Sequence, residues 1–206
     1  KLLAGNEEYE TNSWLLTTAV REAGAVGYRV HSIPDDEEEL KAVIEDQLVR
    51  ADLVVVSGER GDDSFDLITR TLSTLGEITT VDLAVENSGR HNFGQIGPDR
   101  TPVVTLPGDP IAAYISLELF VRPMIRTMLG SGNIHRPCVR ARLEKSIAST
   151  AGVRSYLRAF LSEDSKLVRV IPDQEELSTL SDANALIAIP ESDTELDAGA
   201  EVNVVV

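Results

Sequence analysis

ADLVVVSGERGDDSFD, residues Ala51–Asp66, joins three pieces whose order decides the fold. Asp52–Val56 is a short, β-branched apolar run, the composition of a strand buried on both faces of a parallel sheet. It stops at Ser57-Gly58, and a polar loop follows. A helix is predicted from Asp63 or Ser64, with Leu67, Ile68, Leu72 and Leu75 at helical spacing and Gly76 as its stop. A strand that opens into a glycine-bearing loop and a helix N-terminus is where open α/β folds hold anions. Glu59, Asp62, Asp63 and Asp66 place negative charge in that same loop, so geometry and charge point in opposite directions.

Working outward, Thr11, Asn12 or Ser13 can cap a helix whose buried face carries Leu15, Leu16, Ala19, Val20 and Ala23, and Gly24 ends it. Tyr28–Ile33 alternates like a strand before Pro34. The run PDDEEELKAVIEDQLVRA is a helix whose first-turn acids suit the macrodipole, with Leu40, Val43, Ile44 and Leu48 as its buried stripe. Glu77–Val85 reads as a strand, residues 86–100 as a polar loop or hairpin, and Thr101–Leu106 as a strand closed by Pro107-Gly108-Asp109-Pro110. A long helix is predicted over Ile111–Leu129, ending at a Gly130-Ser131-Gly132 linker. Strands alternating with helices to this point imply a doubly wound, mostly parallel α/β sheet. After Pro137 the helical periodicity disappears. Val139–Ile147, Arg154–Leu161, Leu167–Ile171, Ala185–Ile189 and Val202–Val206 read as short strands of a small all-β domain, sandwich or barrel-like.

The net charge of −15 argues against nucleic acid and anionic membranes as partners. Cys138 is the single cysteine, which rules out an intrachain disulfide and suits a reducing compartment. His31, His91 and His135 are scattered without ligand spacing, so no metal site is assigned. No apolar run approaches the ~20 residues of a membrane span, and a cytoplasmic location without direct membrane insertion is expected. The chain begins at Lys1, which suggests a processed chain or an excised fragment.

Several segments, in order, resemble the MoeA and gephyrin E-domain family of molybdopterin molybdenumtransferases. ADLVVVSG with Asp66 downstream is similar to that family's "aDlvitsGGvSvGdyD". Leu83–Gly94 is similar to its "mkPGKPxxfG" region. LPGDPIAAYISLELFVRPMIRTMLG, Leu106–Gly130, resembles "LPGNPvsaxvxfexfvxPxlxxlxG". Thr11-Asn12 fits the "dsN" before the first helix, while LSTLSDANALIAIP (Leu177–Pro190) and AGAEVNVVV (Ala198–Val206) resemble the C-terminal domain. The resemblance implies a MogA-like α/β domain III over residues 1–136 and a β domain IV over 137–206, in a homodimer. Active members insert molybdenum from molybdate into adenylylated molybdopterin and release AMP.

On that resemblance, Asp66 is the retained family carboxylate and the candidate catalytic residue. Ser57, Gly58, Gly61, Asp62, Arg90, Pro107, Gly108 and Asp109 are the candidate cofactor-binding residues. The departures concern chemistry. Glu59 replaces a glycine of the family's GGVSVG turn, the two PGKP lysines fall on Glu86 and Gly89, the TGDEL acid falls on Asn6 or Glu7, and LPGNP has become LPGDP. Removing one placed electrostatic donor commonly costs ~10²–10³ in rate. Degraded chemistry in a kept fold suggests a dimeric scaffold that binds a disordered peptide of a membrane receptor or cytoskeletal (cell-division) protein between domains III and IV. Ile189, Pro190, Glu191 and Leu196 are the candidate peptide-binding wall. The alternative is an active molybdenumtransferase, and only then do Mg²⁺ and molybdopterin or molybdate enter as cofactors. A third reading is a fragment that binds nothing without its missing N-terminal domains.

Overall fold

The computed structural model describes residues 10–30, 36–58, 62–172 and 177–206. The chain divides into two compact units, Lys1–Asp82 with Arg90–Ser131, and Leu83–Gly89 with Gly132–Val206.

In the first unit, helices α1 (Asn12–Glu22) and α2 (Glu37–Leu48) precede strand β1 (Val54–Ser57) and helix α3 (Asp62–Leu75). Asp36 caps α2 by accepting from the Glu39 N–H, and Glu37, Glu38 and Glu39 fill its first turn. The α1 N-terminus uses no side-chain cap from Thr11; instead the Glu10 carboxylate accepts from the Ser13 N–H. Strands β2 (Gly76–Leu83), β3 (Gly89–Ile96) and β4 (Thr101–Leu106) follow, in the sheet order β1-β4-β3-β2.

Among the described residues the sheet of this α/β unit is mixed. β1 runs parallel to β4, with Val54 opposite Val103, whereas β3 is antiparallel to β4, with Phe93 opposite Val104. The connections 84–88 and 97–100 are too short for the crossover that a parallel pair needs. The stretch 86–100, expected as a loop or hairpin, contributes the whole of β3. β4 is the deeply buried strand, while the residues of β1 are all half-buried. Ala25–Val30 is neither helix nor strand, and the remainder of the strand expected over Tyr28–Ile33 lies outside the described residues.

Strand alternation sends Val104 and Leu106 to a core with Leu16, Ala19 and Ala23 of α1, and Val103 and Ile96 to a second core with α2 and α3. The helix predicted over Ile111–Leu129 is three pieces: α4 (Pro110–Ser116), a π-turn at Leu117–Val121 and α5 (Arg122–Met128). Pro123 has no N–H to bond and its ring displaces the carbonyl of Leu119, so the ladder widens there and the Arg122 N–H reaches Leu117 O. That turn holds a mostly buried Glu118–Arg122 ion pair of 3.8 Å. Trp14 is exposed with the Arg29 guanidinium 4.0 Å over its ring, whereas Tyr114 packs on the first core.

The second unit is a closed barrel of order β11-β5-β8-β7-β9, built from β5 (Cys138–Leu143), β7 (Ser155–Leu161), β8 (Leu167–Val170), β9 (Ala185–Ile189) and β11 (Glu201–Val205). β6 (Ile147–Ala148) and β10 (Glu195–Leu196) form a separate two-stranded ribbon. Closure leaves no unpaired edge, and Leu143, Val168, Ile187, Ile189 and Val204 fill the interior. Segment 83–89 joins this unit through backbone bonds from Arg154 N to Ala84 O and from Glu86 N to Arg154 O. Among the described residues no helix is long and apolar enough to cross a membrane.

Candidate functional site at the strand ends

Three stretches distant in sequence meet at the C-terminal ends of β1 and β4. Ser57, the last residue of β1, donates its hydroxyl to Pro107 O at 3.0 Å. Asn12, the first residue of α1, donates through Nδ2 to Ser57 Oγ at 2.8 Å and to Gly108 O at 2.9 Å. Two strand ends and one helix start are thereby locked into a neutral polar shelf. Asn12 Oδ1 is buried and has no hydrogen-bond donor among the described residues. A buried acceptor left unpaired costs roughly 1–3 kcal/mol, which a ligand donor would recover.

Gly58 continues the shelf. A Cβ there would lie 2.8 Å from Ile68 Cδ1 and 3.1 Å from Ser64 Oγ, so the backbone passes too close to α3 for a side chain without displacement. Asp62 begins α3; Glu59 and Gly61, like Asn6 and Glu7, lie outside the described residues.

Asp109, counted from the sequence as one more anion against a ligand, has a structural use. Its Oδ1 accepts from the Ile111 N–H at 3.1 Å and the Ala112 N–H at 2.9 Å, capping α4. Glu86, in place of one family lysine, accepts from the Thr150 hydroxyl at 2.8 Å within the barrel unit. Gly89 takes φ +61° and opens β3.

Asp66 sits in the second turn of α3, where Arg90 Nη1 lies 3.3 Å from its Oδ1. The same guanidinium lies over the Phe65 ring, 4.4 Å from its centroid. A polar chain centred on the buried Asn92 steadies this turn. Thr80 donates to Asn92 Oδ1 at 2.6 Å, Asn92 Nδ2 donates to Thr69 Oγ1 at 2.8 Å, and Thr69 donates to Phe65 O at 2.8 Å. The Asn92 N–H in turn donates to Thr105 Oγ1 of β4 at 2.7 Å. Sequence reasoning missed Phe65, Thr69 and Asn92. The available signal was a fully buried pattern broken by polar residues, which reads as a loop until the partners are known.

The expected peptide wall is corrected at one residue. Ile189 is fully buried inside the barrel and offers no apolar anchor, whereas Leu196 of β10 is half-buried, packed in part against the same core. Pro190 opens a turn closed by the Asp193 N–H on its carbonyl. Glu191 is held by Arg154 at 3.1 Å. Its carboxyl is pushed below the ordinary glutamate range, first by its own backbone N–H and then by the Arg154 hydrogen bond and charge.

Residues 2–127 match the family model described as a probable molybdopterin binding domain, and residues 140–206 match the MoeA C-terminal region, domain IV. The chain belongs to the MoeA/gephyrin family. It is 35% identical over 205 residues to molybdopterin molybdenumtransferase 1 of Mycobacterium tuberculosis H37Rv, covering 95% of this chain and 48% of that protein. It is 24% identical to gephyrin of Dictyostelium discoideum, covering 84% of this chain and 28% of that one. A solved MoeA protein from Pyrococcus horikoshii superposes with a TM-score of 0.84 at 29% identity, over all of this chain and 50% of that chain. This MoeA-type chain thus spans about half the length of the molybdenumtransferase it matches.

Proposed function

We propose that this chain is the pterin-binding half of a homodimeric MoeA-type protein of molybdenum cofactor biosynthesis, holding a molybdopterin nucleotide at the ends of β1 and β4. The observation that carries this reading is the shelf of Asn12, Ser57, Pro107 and Gly108, which three distant stretches build through three hydrogen bonds and in which Asn12 Oδ1 is buried without a donor among the described residues. That acceptor suits the N–H-bearing edge of a pterin. Two of the acids that oppose an anionic ligand in the sequence are engaged elsewhere, Asp109 in a helix cap and Glu86 on Thr150. Asp66 of α3 and Arg90 of β3 form an ion pair, and both are accessible. Molybdate is the second substrate of the transfer. Among the described residues no three carboxylate, imidazole or thiolate groups converge on a metal-sized site, so Mg²⁺ is assigned no ligands here.

The second reading, a dimeric scaffold with weak transfer chemistry, is favoured by Glu86 and Gly89 in place of the family's two lysines. It loses support where Ile189 turns inward and leaves the proposed wall without that anchor. Calorimetric titration of the full-length protein with adenylylated molybdopterin, with and without molybdate, separates the two. Micromolar binding with AMP release on adding molybdate is expected. Absence of binding would overturn the enzyme reading and direct the search to a peptide partner.

A further inference from the structure

We propose that Asn12 is the specificity-determining residue of the strand-end site: its Oδ1 selects a ligand ring that presents an N–H, the amino-lactam edge of a pterin. The inference rests on the reading of the strand ends as the ligand site and adds the residue that recognises the ring. The polarity of the shelf leaves the Asn12 amide one orientation. Pro107 O and Gly108 O are carbonyls and can only accept. The Ser57 hydroxyl gives its one proton to Pro107 O at 3.0 Å, so Ser57 Oγ is an acceptor toward Asn12. Ser57 Oγ at 2.8 Å and Gly108 O at 2.9 Å both face the amide, and only its Nδ2 end satisfies both. Turning the amide over would set Oδ1 against Gly108 O, acceptor against acceptor. Oδ1 is therefore fixed as the acceptor of the shelf by partners 45 and 96 positions away in the chain.

That oxygen is buried and has no donor among the described residues. No solvent donor satisfies it, so a ligand N–H placed there adds a hydrogen bond instead of exchanging one with water. The chemistry of the shelf then decides the class of ligand group. An amide, a hydroxyl and two carbonyls carry no formal charge, and the unpartnered end accepts. An oxyanion brings only acceptors to that acceptor. A pterin ring brings the N–H of its lactam beside the N–H groups of its 2-amino substituent. The shelf thus suits the uncharged end of a nucleotide-bearing ligand, the end that a net charge of −15 does not oppose. An aspartate at position 12 would lack both Nδ2 bonds and set a carboxylate against Ser57 Oγ and Gly108 O, so the amide is the side chain this geometry requires.

Adenine also carries an amino N–H, and the test separates the two rings. Adenylylated molybdopterin, AMP, pterin, 3-methylpterin and 2-deaminopterin are titrated separately into the full-length protein and into its Asn12→Ala and Asn12→Ser variants. Both variants are expected to weaken adenylylated molybdopterin about 10- to 100-fold. In the wild type, removing one of the two kinds of ring N–H, by 3-methylation or by loss of the 2-amino group, is expected to weaken pterin by a similar factor. In both variants pterin and that analogue should bind alike. A merely structural Asn12 would weaken pterin and its analogues together and keep their order, and that result would overturn the inference. Equal wild-type affinities for pterin and both analogues would overturn it as well, whether or not Asn12→Ala folds. Asn12 dependence confined to AMP would assign the acceptor to the adenine amino group and overturn the pterin assignment. Tight binding of adenylylated molybdopterin unchanged by Asn12→Ala overturns the inference and leaves the function reading standing; Asn12-dependent binding of pterin without binding of the adenylylated form does the reverse.

Discussion

Replacing Asp109 by alanine removes the acceptor of two N–H groups, those of Ile111 and Ala112, at the start of α4. Loss of such a cap costs about 0.5–2 kcal/mol. The charge at the helix N-terminus contributes a further ~0.3–1 kcal/mol that asparagine also lacks. Asp109→Asn keeps the oxygen and forfeits only the charge. Amide hydrogen exchange at Ile111 and Ala112 resolves the two, because it reads the local opening free energy. We expect exchange about 5- to 30-fold faster in Asp109→Ala, a cost of one to two kcal/mol, and no more than a few-fold faster in Asp109→Asn. The pair also asks why the chain carries aspartate where the resemblance leads one to expect asparagine. If asparagine caps equally well, the acid is not required for folding, and Asp109→Asn should bind an anionic ligand at least as tightly as wild type. Equal exchange rates in the alanine and asparagine variants would refute the cap and return Asp109 to the list of charges facing the ligand.

Asn92→Ala removes the buried side chain that joins Thr80 of β2 to Thr69 of α3; a loss of ~1–3 kcal/mol is expected by thermal or urea denaturation. Gly94→Ala places a methyl 2.1 Å from Glu77 O, a backbone atom of the neighbouring strand, and should cost ~1–3 kcal/mol or more, whereas Gly132→Ala meets nothing within 4 Å and should be near neutral. Equal stabilities of the two glycine variants would show that β2 and β3 can separate there. The Glu191 carboxyl is depressed in the folded protein, so its contribution is present above the ordinary glutamate range near pH ~4.3 and is lost as pH falls through the folded value. Glu191→Gln should therefore abolish that part of the acid destabilisation, read as a smaller drop in stability between neutral pH and pH ~3; an unchanged pH profile would count against the Arg154 contact.

Much of the layout was legible in the residues because it depends on local rules. The β-branched run before Ser57, the acid-rich start of α2 and the apolar spacing of α3 each report a single element, and each element is where those patterns put it. The barrel strands were legible for the same reason, alternation followed by turn residues. β3 was not, because His91 and Asn92 are polar and buried; the hydrogen bonds that offset the burial of Asn92 come from Thr105, Thr69 and Thr80, residues across a hairpin or tens of positions away. The sheet's mixed direction likewise depends on which strands become neighbours.

The candidate site divides in the same way. Sequence alone determined that a strand end, a glycine turn and a proline-bounded helix start occur in the order of a molybdopterin-binding family, and that lysines and a glycine of that family are missing. Tertiary structure decided what particular residues do: Asp109 caps, Glu86 turns to Thr150, Ile189 faces inward, and Arg90 lies over the Phe65 ring beside Asp66. A residue's type states which charge and hydrogen bonds it carries. Whether those meet a ligand or another part of the chain depends on directions and distances that arise only when remote segments pack.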